Sequence, residues 1–306
     1  MYCEKNKQNN QIQEILDAKQ GGLAFSTLMA IYVLISFLIQ SILLGVLESD
    51  SFAYLAICSL LSIISIAIIL LYYCVNKKHT IKVLGINKCD YKGIILSIVL
   101  CVGMFFGLGF VNSLFTTALH SVGVKVSTPN IKLENVWHFI YFSITLALFP
   151  AIFEELFFRG LLLSSLEKTS TLAKVIASGV MFALYHCSLS QFVYQFIYGA
   201  LLALIVIVFK SVIPCIVAHF LNNFAVLFFE YFKVNIDLYN AWVIATGLIC
   251  LALFIGAIIY FVQKGQSDKA EQNDSEEKQS ALKLYVPYGI FGILICVIMI
   301  ISVLFI

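Results

Sequence analysis

The sequence predicts an all-α, polytopic transmembrane helical bundle of eight or nine spans, and three observations predict it. Of its 306 residues, 61% are hydrophobic and only 12% charged, and the mean hydropathy is +0.98. A soluble domain carries roughly 25% charged residues, so too little polar surface remains here to cover a water-soluble globule. Apolar runs long enough to cross a bilayer recur along nearly the whole chain. They are continuous, without the period-2 alternation of a membrane β-barrel, which leaves helices as the spanning element.

The first element, Met1 to Gln20, is polar with mixed charge. The run Leu23–Leu47 follows it without a small-residue cleavage site, so we read it as a retained span rather than a signal peptide. Further runs are Phe52–Val75, Gly93–Leu119, Val136–Phe149 continuing past Pro150, Leu172–Tyr185, Phe192–Phe209, Val212–Phe232, Ala241–Val262 and Val286–Ile306. Residues 1–22 are expected to form a cytoplasmic tail, 23–135 the N-terminal spans and 136–232 a helical core. Residues 233–262 then make an additional span, 263–284 a charged cytoplasmic linker and 285–306 the last span. Small residues at a spacing of four, Gly179/Ala183 and Gly199/Ala203, mark places where helices can approach closely.

Basic residues set the orientation. With the N-terminus inside, 16 of the 19 lysines and arginines fall on cytoplasmic segments, and only Lys125, Lys132 and Lys233 do not. The expectation is a multi-pass protein of the cell membrane with a cytoplasmic N-terminus. The net charge of +2 is spread over loops without a basic patch, so no nucleic-acid partner is expected. Nine scattered cysteines with no CxxC spacing exclude a zinc or dithiol motif of that kind and read as small apolar fillers.

Chemistry is carried by ionisable groups inside the apolar runs, because each costs about 2.5–3.5 kcal/mol at a helix centre and needs an interior partner. Three groups stand out: Glu154, Glu155 and Arg159; His186; and His219, Asn222 and Asn223. Glu155 and Arg159 are i,i+4 and meet on one helix face. Arg159 is the only arginine in the chain, and its planar fork suits a carboxylate better than an ammonium does. Glu154 points about 100° away and is left without that partner, which suits a general base for water. His219 and Asn223, also i,i+4, bring two donors to one point, as an oxyanion hole requires. His186, on another helix, is placed to orient the water or shuttle its proton. Each element has a bland counterpart: a Glu–Arg pair as packing glue, an asparagine as an interhelical hydrogen bond, a lone buried histidine as a structural one. The constellation outweighs them, since three separate helices each carry compatible chemistry.

The ordered set Glu154-Glu155-x-x-x-Arg159, Phe182-x-x-x-His186 and His219-x-x-x-Asn223, with Phe196 and Gly199 between, resembles the CPBP family. These are the CaaX proteases and bacteriocin-processing enzymes, also called Abi proteins. The resemblance covers Trp137 to Phe229. It implies an intramembrane endopeptidase acting on a membrane-associated peptide or protein within the lipid bilayer. Glu154 and His186 would activate water, His219 and Asn223 would stabilise the oxyanion, and Glu155 with Arg159 would support them. Family members are often labelled metalloproteases, but no His-Glu-x-x-His motif is present. If a divalent metal such as zinc is bound, Glu154, His186 and His219 are the expected ligands. The competing readings are a non-enzymatic bacteriocin-immunity or membrane binding protein on the same scaffold, and a small transporter using the buried charges as a proton path. Transporters often show inverted repeats, and none is visible here. Counting rise per residue places Glu154 and His186 at different depths unless the fourth span breaks or the next helix projects into the cytoplasm, so a kink or break is expected at Pro150.

Overall fold

The computed structural model describes residues 17–48, 51–77, 84–124, 131–167, 169–267 and 280–303. Among these the chain forms no strand, and nine helices follow one another. They are α1 (Ala18–Leu43), α2 (Phe52–Lys77), α3 (Tyr91–Ser121), α4 (Val136–Ser165), α5 (Thr171–Tyr185), α6 (Phe192–Phe209), α7 (Ile213–Tyr231), α8 (Ala241–Ser267) and α9 (Ser280–Val303). Eight are long and apolar enough to cross a membrane; α5, with 15 residues, is the short one. This is the multi-pass helical architecture that the composition predicts.

Side-chain caps fix where several helices begin, by satisfying amide donors that have no partner within the helix. Asp17 and Gln20 form a reciprocal capping box at α1. Asp90 caps α3 through Lys92 N, Asn135 caps α4 through Trp137 N and His138 N, and Ser170 caps α5 through Ala173 N. Pro214 opens α7 at a first-turn position, where its missing N–H is harmless. The linker is shorter than the sequence predicts, because α8 runs on to Ser267 and α9 begins at Ser280. The tail up to residue 16 and linker residues 268–279 lie outside the described residues.

Small residues set the helix pairs, as van der Waals packing between membrane helices demands. At the α5–α6 crossing, a Cβ on Gly199 would stand 3.0 Å from Gly179 Cα, and one on Gly179 would stand 2.6 Å from Phe196 O. Gly107 of α3 lies against Gly247 of α8 in the same way. Helix α1 meets α9 at Gly22 and Gly292, where Ser26 Oγ donates to Tyr288 O at 2.7 Å and accepts from Gly292 N at 3.1 Å. The buried apolar cluster formed by these contacts runs from Ala18 to Cys296, so the N-terminal and C-terminal spans share a core with the central helices.

Helix α4 carries the main irregularity. It is continuous through Pro150, so of the expected kink or break the break does not occur, and it holds two π-helical stretches, Ser143–Leu148 and Leu156–Leu162. The wide turn just before Pro150 accommodates the ring and the absent N–H without interrupting the helix. The depth mismatch is resolved from the other end. At about 1.5 Å per residue, Glu154 lies roughly 17 Å before the end of α4 at Ser165, and His186 lies roughly 22 Å beyond the start of α5 at Thr171. Measured from the α4–α5 turn, the two residues reach comparable heights because α4 is longer than a bilayer requires. The segment Leu84–Asn87 packs beneath them. Gly160 touches Leu84, Val212 N donates to Gly85 O at 3.0 Å, and Asn87 Nδ2 donates to Lys210 O at 2.6 Å. Gly85 has φ +68°, a backbone conformation that glycine adopts without strain.

Candidate active site

Helices α4, α5, α6 and α7 gather the polar residues singled out from the sequence. Glu154, Glu155, Arg159 and His219 are all at least 94% buried, and Asn222 is also buried. His186 and Asn223 are half-buried. Charges removed from water to this degree persist only if they are paired and hydrogen-bonded, and the pairing is dense.

Glu155 is the hub. Its Oε1 accepts from Arg159 Nη1 at 2.9 Å, the i,i+4 contact expected from the spacing, and from His219 Nδ1 at 2.8 Å, a contact between α4 and α7. Arg159 continues to the backbone of α6, donating from Nη2 to Gly199 O at 3.2 Å. That reach is possible because Gly179 and Gly199 bring α5 and α6 together without Cβ atoms between them. The guanidinium also lies over the ring of Phe182, 4.2 Å from its centroid, a cation–π contact that a dry site strengthens. One arginine thus ties α4 to α5 and α6.

Since a carboxylate only accepts, the proton on His219 facing Glu155 must sit on Nδ1. Its other nitrogen, Nε2, stands 4.0 Å from Glu154 Oε2. That separation is too long for a direct hydrogen bond. Glu154 Oε2 is buried and makes no hydrogen bond. The adjacent carboxylates therefore occupy different environments: Glu155 is paired through Oε1 with Arg159 and His219 and leaves only its Oε2 without a hydrogen bond, whereas Glu154 has no such pair and its Oε2 is likewise unbonded.

His186 caps the C-terminal end of α5 and contacts Phe182 one turn back, with Nδ1 and Phe182 O 2.8 Å apart. A carbonyl can only accept, so Nδ1 carries the proton and Nε2 keeps a free lone pair. Phe182 sits between the two histidines, its ring 4.7 Å from the His186 ring and 5.8 Å from the His219 ring. His186, His219 and Glu154 thus belong to one neighbourhood despite arriving on three helices.

Asn223, expected to share the aim of His219, has one N–H engaged elsewhere. Its Nδ2 donates to Leu146 O at 3.1 Å. In a regular helix that carbonyl would accept from the amide of residue 150, which is a proline and has none. Asn223 therefore supplies the donor that Pro150 lacks, and one of its two N–H groups is engaged. Asn222 fixes the amide further by donating to Asn223 Oδ1 at 3.3 Å, and it accepts from Tyr194 Oη at 2.5 Å.

Among the described residues, no group of three or more His, Cys, Asp or Glu side chains comes together to hold a metal ion. Glu154, His186 and His219, the ligands expected if a metal is bound, are not such a group, although the Nδ1 hydrogen bonds of both histidines leave each Nε2 uncommitted. The eight described cysteines are free thiols.

Several participants were not legible in the sequence. Phe182 appeared there as a motif letter, and in space it is the wall between the histidines and a face for Arg159. Tyr32 of α1 packs on Tyr185 at 6.1 Å between ring centroids, bringing the first span up to the site. No periodicity announces such contacts, because they join segments far apart along the chain.

Residues 136–225 match the family model described as Type II CAAX prenyl endopeptidase Rce1-like. No curated protein and no solved structure matches the chain. The matched segment holds every ionisable residue of the site, from Glu154 through His219, together with Asn222 and Asn223. Residues 136–225, under a third of the chain, are therefore similar to the Rce1-like type II CAAX prenyl endopeptidase domain, which is of the CPBP family, and lie within a multi-pass helical bundle.

Proposed function

We propose that this protein is an intramembrane endopeptidase that hydrolyses a peptide bond in a membrane-associated peptide or protein. The observation that carries the reading is the buried, uncommitted Oε2 of Glu154, 4.0 Å from a histidine whose other nitrogen is held by Glu155. A carboxylate kept dry beside an oriented imidazole is chemically idle as packing and useful as a base.

In this mechanism Glu154 and the bare Nε2 of His186 accept the two hydrogens of a water molecule. As the water oxygen bonds to the scissile carbonyl carbon, Glu154 takes one proton and the carbonyl π pair moves onto oxygen. In this step His219 acts in its doubly protonated form, paired with Glu155 through Nδ1–H and donating from Nε2–H, and it and the second N–H of Asn223 face the resulting oxyanion. On collapse the C=O bond re-forms, the C–N bond breaks, and Glu154 returns its proton to the leaving amine. Glu155 and Arg159 touch no reacting atom; they hold His219 and neutralise charge that would otherwise be buried alone. Precursors of secreted peptides or bacteriocins fit such a site, as does a lipidated C-terminal peptide. The distribution of basic residues supports a cytoplasmic N-terminus in the cell membrane, with substrate reaching the site from that side.

The test uses the full-length protein in nanodiscs and two variants, Glu154→Gln and His219→Ala, with peptidomics of cells carrying each. Loss of a positioned base lowers turnover by about 10²–10⁴-fold, so Glu154→Gln should leave precursors uncut while the protein stays folded. If both variants process and protect as the wild type does, the chain acts as a binder on this scaffold and the hydrolase reading is wrong.

A further inference from the structure

Asn223 serves the oxyanion through one N–H of a side-chain amide, and an amide turned over by half a rotation presents an oxygen in place of that donor. Whatever holds the amide the right way round is therefore part of the chemistry. Asn223 Nδ2 donates to Leu146 O at 3.1 Å, and its Oδ1 accepts from Asn222 Nδ2 at 3.3 Å. The Oδ1 of Asn222 accepts in turn from Tyr194 Oη at 2.5 Å. Three helices contribute to this chain of bonds: Leu146 belongs to α4, Tyr194 to α6 and both asparagines to α7.

The polarity of the chain is fixed at its α4 end. A carbonyl only accepts, so Asn223 turns its Nδ2 toward Leu146 O and its Oδ1 toward Asn222. Asn222 must then offer Nδ2 to that oxygen, which leaves its own Oδ1 for the Tyr194 O–H. Neither amide can reverse without setting two oxygens against each other. Asn222 is 5% exposed, so water is not at hand to satisfy a reversed amide. Tyr194 is placed by its neighbours: its ring lies 6.0 Å from that of Tyr198 one turn on, and Tyr198 lies 5.9 Å from the ring of His219. One face of α6 thus runs along the part of α7 that carries His219 and Asn222.

We propose that Tyr194 and Asn222 are positioning residues for catalysis, locking the Asn223 amide so that its remaining N–H is presented to the tetrahedral oxyanion. This deepens the hydrolase reading and rests on it. Neither residue touches a reacting atom or gives up a proton: water still loses its proton to Glu154, and the leaving amine still receives it. A ladder of this kind also glues helices together, and the two roles differ in one respect. Glue acts whatever residue stands at 223, whereas positioning acts on rate only while Asn223 is present.

The test compares wild type, Tyr194→Phe, Asn222→Leu, Asn223→Ala and Glu154→Gln, with Tyr194→Phe and Asn222→Leu each also combined with Asn223→Ala. All are assayed in nanodiscs on a set of internally quenched hydrophobic peptides that includes a farnesylated CaaX member. Displacing a catalytic group by about 1 Å costs up to about 10²-fold, so Tyr194→Phe and Asn222→Leu should each lower kcat by about 10- to 100-fold with KM unchanged. Affinity for a phosphinic peptide, a tetrahedral mimic, should weaken by the same factor. Once Asn223→Ala is in place, neither substitution should lower kcat further. Losses that multiply with that of Asn223→Ala overturn the positioning role and leave the ladder as glue. Wild-type rates for Tyr194→Phe, or for Asn223→Ala, beside an inactive Glu154→Gln also overturn it, while the hydrolase reading stands. Tyr194→Phe removes one oxygen from a half-buried side chain, so it carries the test should Asn222→Leu fail to fold. A wild-type protein that cleaves no member of the set overturns the hydrolase reading and this inference together.

Discussion

Glu154 and Glu155 are neighbours in the chain, and their separate fates are decided by angle. A step of about 100° around the helix sends Glu155 to Arg159 and His219 and leaves Glu154 with an unused oxygen. Unequal stability effects follow on substitution. Removing one partner of a buried charge pair destabilises by about 3–5 kcal/mol, because the remaining charge is stranded. Glu155→Ala strands both Arg159 and His219, so unfolding in detergent should shift by that amount. Glu154→Gln removes an oxygen that no group donates to and should leave unfolding within about 0.5 kcal/mol of wild type. Equal destabilisation by the two substitutions would show that the carboxylates share one structural role.

At the scale of elements, α4 shows how a proline becomes part of a site. Pro150 offers no amide to Leu146, a π-helical stretch precedes it, and Asn223 of α7 donates to the same carbonyl. Pro150 and Asn223 are thus coupled across two helices. Groups in one hydrogen-bond network show interaction energies of about 0.5–3 kcal/mol. In a double-mutant cycle, Asn223→Ala should be clearly destabilising in the native background and much milder once Pro150→Ala restores a backbone donor. Additive losses would mean that Pro150 and Asn223 are not coupled through the Leu146 carbonyl. The α5–α6 crossing is the second decisive element, since Gly179 and Gly199 permit the approach through which Arg159 reaches Gly199 O.

At the scale of the molecule, the family-matched segment is not a free-standing unit. Its buried cluster is completed by α1, α2, α3, α8 and α9, with residues from Ala18 to Cys296 in one continuous core. A fragment spanning residues 131–235 should therefore fail to give a monodisperse, cooperatively unfolding protein in detergent. Co-expression with the remaining spans should restore it. A stable, active fragment would contradict this and reduce the flanking helices to anchors.

What could be read from the sequence was whatever depends on local composition and short spacing. Scarce charge and continuous apolar runs determined a multi-pass helical bundle. The i,i+4 interval fixed the Glu155–Arg159 contact, and glycines at Gly179 and Gly199 marked the close crossing. Tertiary structure decided the rest, because each remaining contact joins helices whose separation along the chain carries no signal. It gave His219 to Glu155 and Asn223 to Leu146, kept α4 whole through Pro150, and brought Tyr32 of the first span beside Tyr185. A sequence lists which polar groups must be satisfied in hydrocarbon; only the packed bundle decides which partner satisfies each one, and which oxygen is left to react.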